Sequence, residues 1–260
     1  MAKKKSKPEK GSYCEVIGEI DLLDFAREHY SRYGRSVLED RAFPDFRDGM
    51  NPVNRRTLWS AYSLGIRSNS KFVKSARIVG DVLGRYHPHG DASVYGAMVK
   101  MTNVNGVVSN IPIGLFEGEG NWGSLSNSAA AAMRYTEARL SKFSDEVLFN
   151  KFYMPVVRMI PNFDSSTVEP LILPALLPLV LLNGRFGIAP GATTNIPKLE
   201  PDGVFDVLRA AFKGEELTPK FLAKTLRLTS TFGGAEDESK ENMRSESRRE
   251  IFTSVRGSTN

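Results

Sequence analysis

The sequence predicts an α+β fold, with basic helices in its first part and a mixed α/β part from about residue 150, and three observations carry this reading. Apolar residues recur at helical spacing in stretches between Ile20 and Met101. A glycine- and aromatic-rich stretch from Ile111 to Gly123 has the composition of short strands and turns. Beyond Pro155, apolar runs alternate with prolines, which marks a change of organisation near residue 150.

Taken in order, residues 1–15 form a basic, flexible arm with Pro8, Gly11 and no apolar period. From Ile20 to about Leu38, Leu22, Leu23, Phe25, Ala26, Tyr30 and Tyr33 predict an amphipathic helix. Asp45 to Gly49 is a turn. Asn51 before Pro52 predicts a helix start, with the Asx side chain as cap and proline at the first helical position; that helix runs to about Leu64 and stops at Gly65. A second helix spans Ser75 to about Arg85, with Ile78 and Val82, and Val79 and Leu83, four apart. Gly84 and Pro88 end it, Tyr86 to Gly90 is a loop, and Asp91 is the expected cap of a third helix with Val94, Met98 and Met101 on one face. Two short helices joined by a tight loop are the outline of a helix-turn-helix, and a winged helix would place its wing in the following Ile111–Gly123 stretch. Gly233 to Arg249 is a charged surface segment, and Ile251 to Val255 a final short strand.

Composition removes several classes. Of 260 residues, 41% are hydrophobic and 25% charged, which excludes fibrous and wholly disordered readings. The single cysteine, Cys14, can make neither an intrachain disulfide nor a zinc cluster of cysteines, so the expected setting is the reducing cytoplasm. The most apolar run, Leu171 to Leu182, is too short for a bilayer and contains Pro174 and Pro178; no apolar region follows the basic amino terminus as a signal peptide would require. Between residues 51 and 100, eight cations (Arg55, Arg56, Arg67, Lys71, Lys74, Arg77, Arg85, Lys100) face only Asp81 and Asp91, a local excess of six that exceeds the +5 of the whole chain. Clustering of this kind is either a phosphate-tracking surface or a solvated basic face.

The chemistry-bearing candidates are few. His29, His87 and His89 have no acidic partners at zincin spacing, so no metal site is expected. His87 and His89 lie between basic helices, where imidazoles and the free amides of a helix start suit phosphate oxygens, although loop histidines are commonly ordinary. Nucleophile-elbow and phosphate-loop patterns are absent, and the G-x-G-x-x-G of Gly118, Gly120 and Gly123 lacks the context of a dinucleotide site. Arg134-Tyr135 remains. A tyrosine oxygen can attack a phosphodiester when cations neutralise the transition state, yet by itself the dipeptide is commonplace and such a tyrosine is as readily structural.

Five ordered blocks remove that ambiguity: Asp45-Phe46-Arg47-Asp48-Gly49 through Arg56, Lys74 to Val82, Tyr86-His87-Pro88-His89-Gly90-Asp91, Gly118 to Ser124, and Ala130 to Glu137. Together they resemble the breakage-reunion chain, the A-type chain, of bacterial and phage type IIA DNA topoisomerases (DNA gyrase and topoisomerase IV), and the block from Leu181 to Pro197 resembles the start of that family's tower domain. The resemblance implies a winged-helix DNA-cleavage domain over residues 16–150 and a partial mixed α/β tower over 151–260. It implies Tyr135 as the nucleophile that becomes joined to a DNA 5′ end and Arg134 as its electrostatic partner. Arg41 and His89 would flank the scissile phosphate, with Arg56 and His87 beside them and Lys74 and Arg77 on the DNA-facing surface. Ile188 matches the tower isoleucine that wedges between base pairs and bends the duplex, the alternative for it being a core position.

The implied partners are double-stranded DNA, a second copy of the chain at the DNA gate, and a B-type subunit that carries the family's Mg2+ and ATP sites. On this alignment the chain stops within the tower, so the resemblance implies a fragment, a split gene whose separate chain supplies the coiled-coil arms, or a reduced viral form. The family's usual Lys-Pro-Val-His reads Asn51-Pro52-Val53-Asn54 here, which removes two cations. The family's serine and acidic residue that anchor quinolones through a magnesium-water bridge align with Ala92 and Gly96. The alternative function is a non-catalytic DNA-binding or assembly module, to which Arg134-Tyr135 would be of no use; a sequence-specific regulator is disfavoured because histidines and basic residues in the loop address phosphates.

Overall fold

In the computed structural model, which describes residues 21–104, 113–123 and 129–228, the expected helices form with small changes at their ends. Helix α1 spans Leu22–Val37 and is capped by Asp21, whose carboxylate accepts from the amides of Leu23 and Asp24. One wide turn, Leu38–Ala42, continues it. Helix α2 is Pro52–Ser63, with proline in the first turn as expected. Asn51 does stand at the cap position, but its side chain makes no cap bond. Its amide instead donates to Arg41 O, because the preceding segment folds back over the helix start and offers a nearer carbonyl. Helix α3 is Ser75–Arg85 and α4 is Asp91–Lys100. Gly90 takes the cap position of α4, so Asp91 is the first helical residue, where its charge still favours the positive end of the helix dipole.

The sheet beside these helices has the order β1-β4-β3-β2, from Val73–Lys74 (β1), Thr102–Val104 (β2), Phe116–Glu119 (β3) and Glu137–Leu140 (β4). Strand β4 is antiparallel to both β1 and β3, with Val73 and Gly118 both opposite Ala138, and β3 is parallel to β2. Alternation along β4 sends Ala138 and Leu140 inward, so the sheet buries one face. Against it pack Leu58 and Ala61 of α2, Ile78, Val79 and Val82 of α3, and Val94 and Met98 of α4. The expected α4 face is therefore correct, with Met101 buried beside it.

The later elements are the hairpin β5 (Met159–Pro161) and β6 (Val168–Pro170), α5 (Leu179–Asn183), the hairpin β7 (Arg185–Ala189) and β8 (Ala192–Ile196), α6 (Pro201–Phe212) and α7 (Pro219–Thr225). Leu173, Leu179, Leu182, Leu199 and Val204 from this part join the same apolar cluster as the helices, so the core runs without a break past residue 150. By contrast α1 buries none of its residues, and the apolar face read from its sequence is open in the single chain. The amino-terminal arm, the charged segment 233–249, the expected final strand at 251–255 and residues 124–128 lie outside the described residues.

One carboxylate joins the two parts. Asp48 is fully buried and accepts from Arg55 Nε at 2.6 Å, Arg55 Nη2 at 3.0 Å, Met50 N at 3.0 Å and Leu173 N at 3.0 Å. Next to it Gly49 has a φ of +67° and lies so close to Leu179 and Val180 that a Cβ would overlap the Val180 amide. The Gly49 carbonyl accepts from Arg185 Nε at 2.7 Å. Replacing Asp48 by Asn removes the charge that compensates a buried guanidinium and turns a donor towards donors. Asp48→Asn is expected to cost about 3–5 kcal/mol, read as a lowered urea midpoint at unchanged slope.

Candidate functional site

The residues singled out in the sequence fall into two groups at opposite ends of α3. At its amino-terminal end the Met133–Thr136 segment is bonded to the helix start: Ser75 N donates to Thr136 O at 3.0 Å and Ala76 N to Met133 O at 3.2 Å. The Thr136 hydroxyl lies 2.8 Å from Ser75 Oγ and 2.9 Å from Tyr95 Oη, and Tyr95 Oη also donates to Ala131 O at 2.7 Å. A buried threonine thus anchors a turn whose preceding residue points outward. Tyr135 is 63% exposed, which is not the environment of a structural core tyrosine. The Arg134 guanidinium stacks on its ring, 4.7 Å from the centroid, in a cation–π contact. Arg77 is exposed in the first turn of α3. Lys74 borders the same spot and forms an ion pair with Glu137 at 2.8 Å.

At the other end the loop after α3 carries His87 and His89. The His87 amide donates to Val82 O at 2.8 Å, which prolongs the last turn of α3. His87 is buried and its ring packs at 4.3 Å against that of His89, which is exposed. Arg56 reaches His87 Nδ1 at 3.0 Å and is also ion-paired to Glu169 of β6. Eleven residues of α3 at a rise of about 1.5 Å each separate the two groups by about 16 Å.

Arg41 and Ile188 lie on either side of a further seam, between the Leu38–Ala42 turn and β7. Asn51, next to the start of α2, bonds to Arg41 O, and Arg56 lies one turn further along that helix. Gly187 lies against the Leu38–Ala42 turn so tightly that a Cβ would overlap Ala42 O. Alternation along β7 then sends Phe186 and Ile188 outward, and Ile188 is 61% exposed instead of buried in the core. Arg185 lies on the buried side, where desolvation pushes its guanidinium down to about 10 against the pull of Asp48. It is expected to stay charged at neutral pH. Asn51 Oδ1, Arg185 Nη2 and Thr194 Oγ1 are buried without a hydrogen-bond partner among the described residues.

The basic cluster of residues 51–100 is more neutralised than its composition indicates. Arg55 pairs with Asp48, Arg56 with Glu169, Arg67 with Asp145, Lys74 with Glu137 and Arg85 with Asp81. Lys71, Arg77 and Lys100 are exposed and form no ion pair among the described residues. Gly118 is part of β3, packed against Trp122 and Thr102, so the G-x-G-x-x-G run begins as a strand at a close approach. Among the described residues no group of three or more His, Cys, Asp or Glu could hold a metal ion, and no helix is long and apolar enough to cross a membrane. Glu169 is the residue that sequence reasoning missed. It is bonded to Arg56 across 113 positions, and its one local signal is a lone carboxylate before Pro170 in an otherwise apolar stretch.

A family model for the DNA gyrase/topoisomerase IV A-type chain matches residues 41–258. The chain is 44% identical over 201 residues to the A-type chain of DNA topoisomerase 4 from Staphylococcus epidermidis, covering 76% of this chain and 24% of that protein. It is 48% identical over 185 residues to the A-type chain of DNA gyrase from Dehalogenimonas lykanthroporepellens, covering 70% of this chain and 22% of the relative. It is also 44% identical over 194 residues to the corresponding gyrase chain from Brachyspira hyodysenteriae, at 75% and 22% coverage. The chain therefore spans about a quarter of the length of these relatives.

The contact of Gly187 with Ala42 makes a direct test of the seam between β7 and the Leu38–Ala42 turn. Gly187→Ala is expected to destabilise by about 1–3 kcal/mol. Faster amide hydrogen exchange confined to β7, β8 and the Leu38–Ala42 turn, with α3 and α4 unchanged, is the expected pattern.

Proposed function

Because the chain belongs to the family of DNA gyrase and topoisomerase IV A-type chains, we propose that it supplies the DNA-cleaving and rejoining machinery of a type IIA topoisomerase. The observation that carries this reading is the exposed Arg134-Tyr135 pair, displayed on a turn that Thr136 anchors to the start of α3. In the proposed reaction Tyr135 Oη attacks the scissile phosphorus, the bond from phosphorus to the 3′ oxygen breaks, and the 3′ hydroxyl leaves with a proton. The product is a 5′-phosphotyrosine ester, and the reverse attack by the 3′ hydroxyl restores the strand and frees the phenol. Arg134, stacked on the nucleophile's ring, and the exposed Arg77 supply positive charge where phosphate oxygens gain negative charge.

Arg41, His89 and Ile188 are assigned to the same duplex. Arg41 and His89 contact backbone phosphate, and Ile188, outward on β7, inserts between bases where the DNA bends. Arg56 and His87 act from beneath that surface. A second copy of the chain is assigned to the same DNA, facing the first across the gate. We assign Mg2+ and ATP to a separate B-type subunit; the whole assembly is assigned to the cytoplasm. Magnesium would supply charge neutralisation at the scissile phosphate, and the described residues have no cluster fitted to hold it.

Two measurements test the proposal, both with the chain reconstituted with its B-type subunit. Tyr135→Phe is expected to bind duplex DNA like the wild type, with affinity that falls steeply with salt, and to give no covalent adduct on a denaturing gel. A wild-type adduct level in the variant overturns the assignment. For quinolones, Ala92 and Gly96 have no side-chain oxygen to accept hydrogen bonds from bridging waters. Weak trapping of cleaved complexes is expected, with Ala92→Ser combined with Gly96→Asp raising it. The space around Gly96 is open to a new side chain. Strong trapping by the unaltered chain counts against the alignment of α4.

A further inference from the structure

We propose that Glu169 is a positioning residue for DNA cleavage, which acts through Arg56 to hold the His87 ring as its Nε2–H tautomer beneath His89; its catalytic consequence rests on the reading of the chain as a DNA-cleaving one. Glu169 is 4% exposed and both its oxygens accept from Arg56: Nε lies 3.0 and 2.9 Å from them, and Nη2 lies 2.8 Å from Oε1. A planar guanidinium held in this way has a fixed orientation. Its remaining nitrogen, Nη1, lies 3.0 Å from His87 Nδ1. Guanidinium nitrogens donate only and do not lose their protons in proteins, so Nδ1 must accept. The ring proton is then on Nε2, since a proton on Nδ1 would set one N–H against another.

The backbone of His87 is fixed separately, by its amide bond to Val82 O, so α3 sets where the residue lies and Arg56 sets what its ring presents. The His87 ring in turn packs at 4.3 Å, tilted by 58°, against His89, the exposed imidazole of the loop. A chain of contacts therefore runs from a buried carboxylate in β6 to the loop surface. Stability alone is a poor account of Glu169, because a buried ion pair gains little over an apolar pair of the same volume. The seam between α2 and β6 also has an independent tie, from Trp59 Nε1 to Val168 O at 3.2 Å.

Nitrogen NMR of the full chain labelled at histidine tests the proposal directly, since only His29, His87 and His89 contribute. His87 is expected as a single Nε2–H tautomer, and Glu169→Gln is expected to turn it into a mixture. Arg56→Lys guards against a folding defect. A lysine can still pair with Glu169 as a point charge but cannot hold a carboxylate and a ring nitrogen in one plane, so it should keep the fold and lose the tautomer. In the reconstituted enzyme both variants are expected to lower cleavage-complex yield about tenfold, the scale of one hydrogen bond to a charged group, with DNA affinity nearly unchanged. An Nδ1–H tautomer in the wild type, an unchanged tautomer in both variants, or full cleavage by Arg56→Lys after the tautomer is lost would each overturn the proposal. The Tyr135→Phe adduct assay is independent of these spectra, so failure of the cleavage reading and failure of the tautomer relay are told apart.

Discussion

The architecture depends on the buried carboxylate of Asp48. Four donors converge on it from its own turn, from α2 and from the segment before α5, and the adjoining Gly49 carbonyl holds Arg185 at the start of β7. A buried charge is tolerable only when its hydrogen-bonding capacity is filled, and here the filling comes from residues up to 125 positions away. The carboxylate therefore acts as a register point. It fixes the 45–51 turn against α2 and, through Leu173, against the segment before α5, while the neighbouring Gly49 carbonyl ties the start of β7 to the same turn. Ala42 and Gly187, 145 positions apart in the chain, meet along this seam because a residue without a side chain can lie directly on the Leu38–Ala42 turn.

Helix α3 imposes the second constraint. It runs between the two chemical groups, with the tyrosine turn hydrogen-bonded to its first residues and the histidine loop extending its last turn. The hydroxyls of buried Ser75 and Thr136 and half-buried Tyr95 bond to one another beneath exposed Tyr135, and half-buried Arg56 holds buried Glu169 beside the loop that exposes His89. In both places a hydrogen-bonded polar layer lies beneath an exposed side chain, Tyr135 in one and His89 in the other. Local charge follows the same division. Most cations of the 51–100 segment are taken up by internal partners, and those with no ion pair among the described residues, Lys71, Arg77 and Lys100, are exposed.

Much of the helical part was legible in the sequence because its signals are local. Apolar spacing located α3, expected from Ser75 to about Arg85, and Pro52 located the start of α2. The inward face of α4 followed from Val94, Met98 and Met101. Caps were less legible, as Asn51 shows: its amide has a local partner in principle but takes Arg41 O, which only the folded-back turn brings near. Among the site residues, Arg134-Tyr135 could be named as a dipeptide, yet exposure of the ring depends on Thr136 being drawn inward by Ser75 and Tyr95. Glu169 could not be named at all, since nothing in its neighbourhood refers to Arg56.

By itself the sequence determined α1 to α4, though not α5, α6 or α7, where the apolar faces of those first helices lie, and that an arginine-tyrosine pair and a His-Pro-His loop are the residues with chemistry to offer. These follow from backbone preference and side-chain periodicity, which act over a few residues. Only the tertiary structure decided which cations are already neutralised, which ring nitrogen of His87 faces a donor, and that Ile188 faces outward while Arg185 faces in. The physical reason is that desolvation and hydrogen-bond geometry depend on every group within a few ångströms, and those groups come from positions that no local pattern connects.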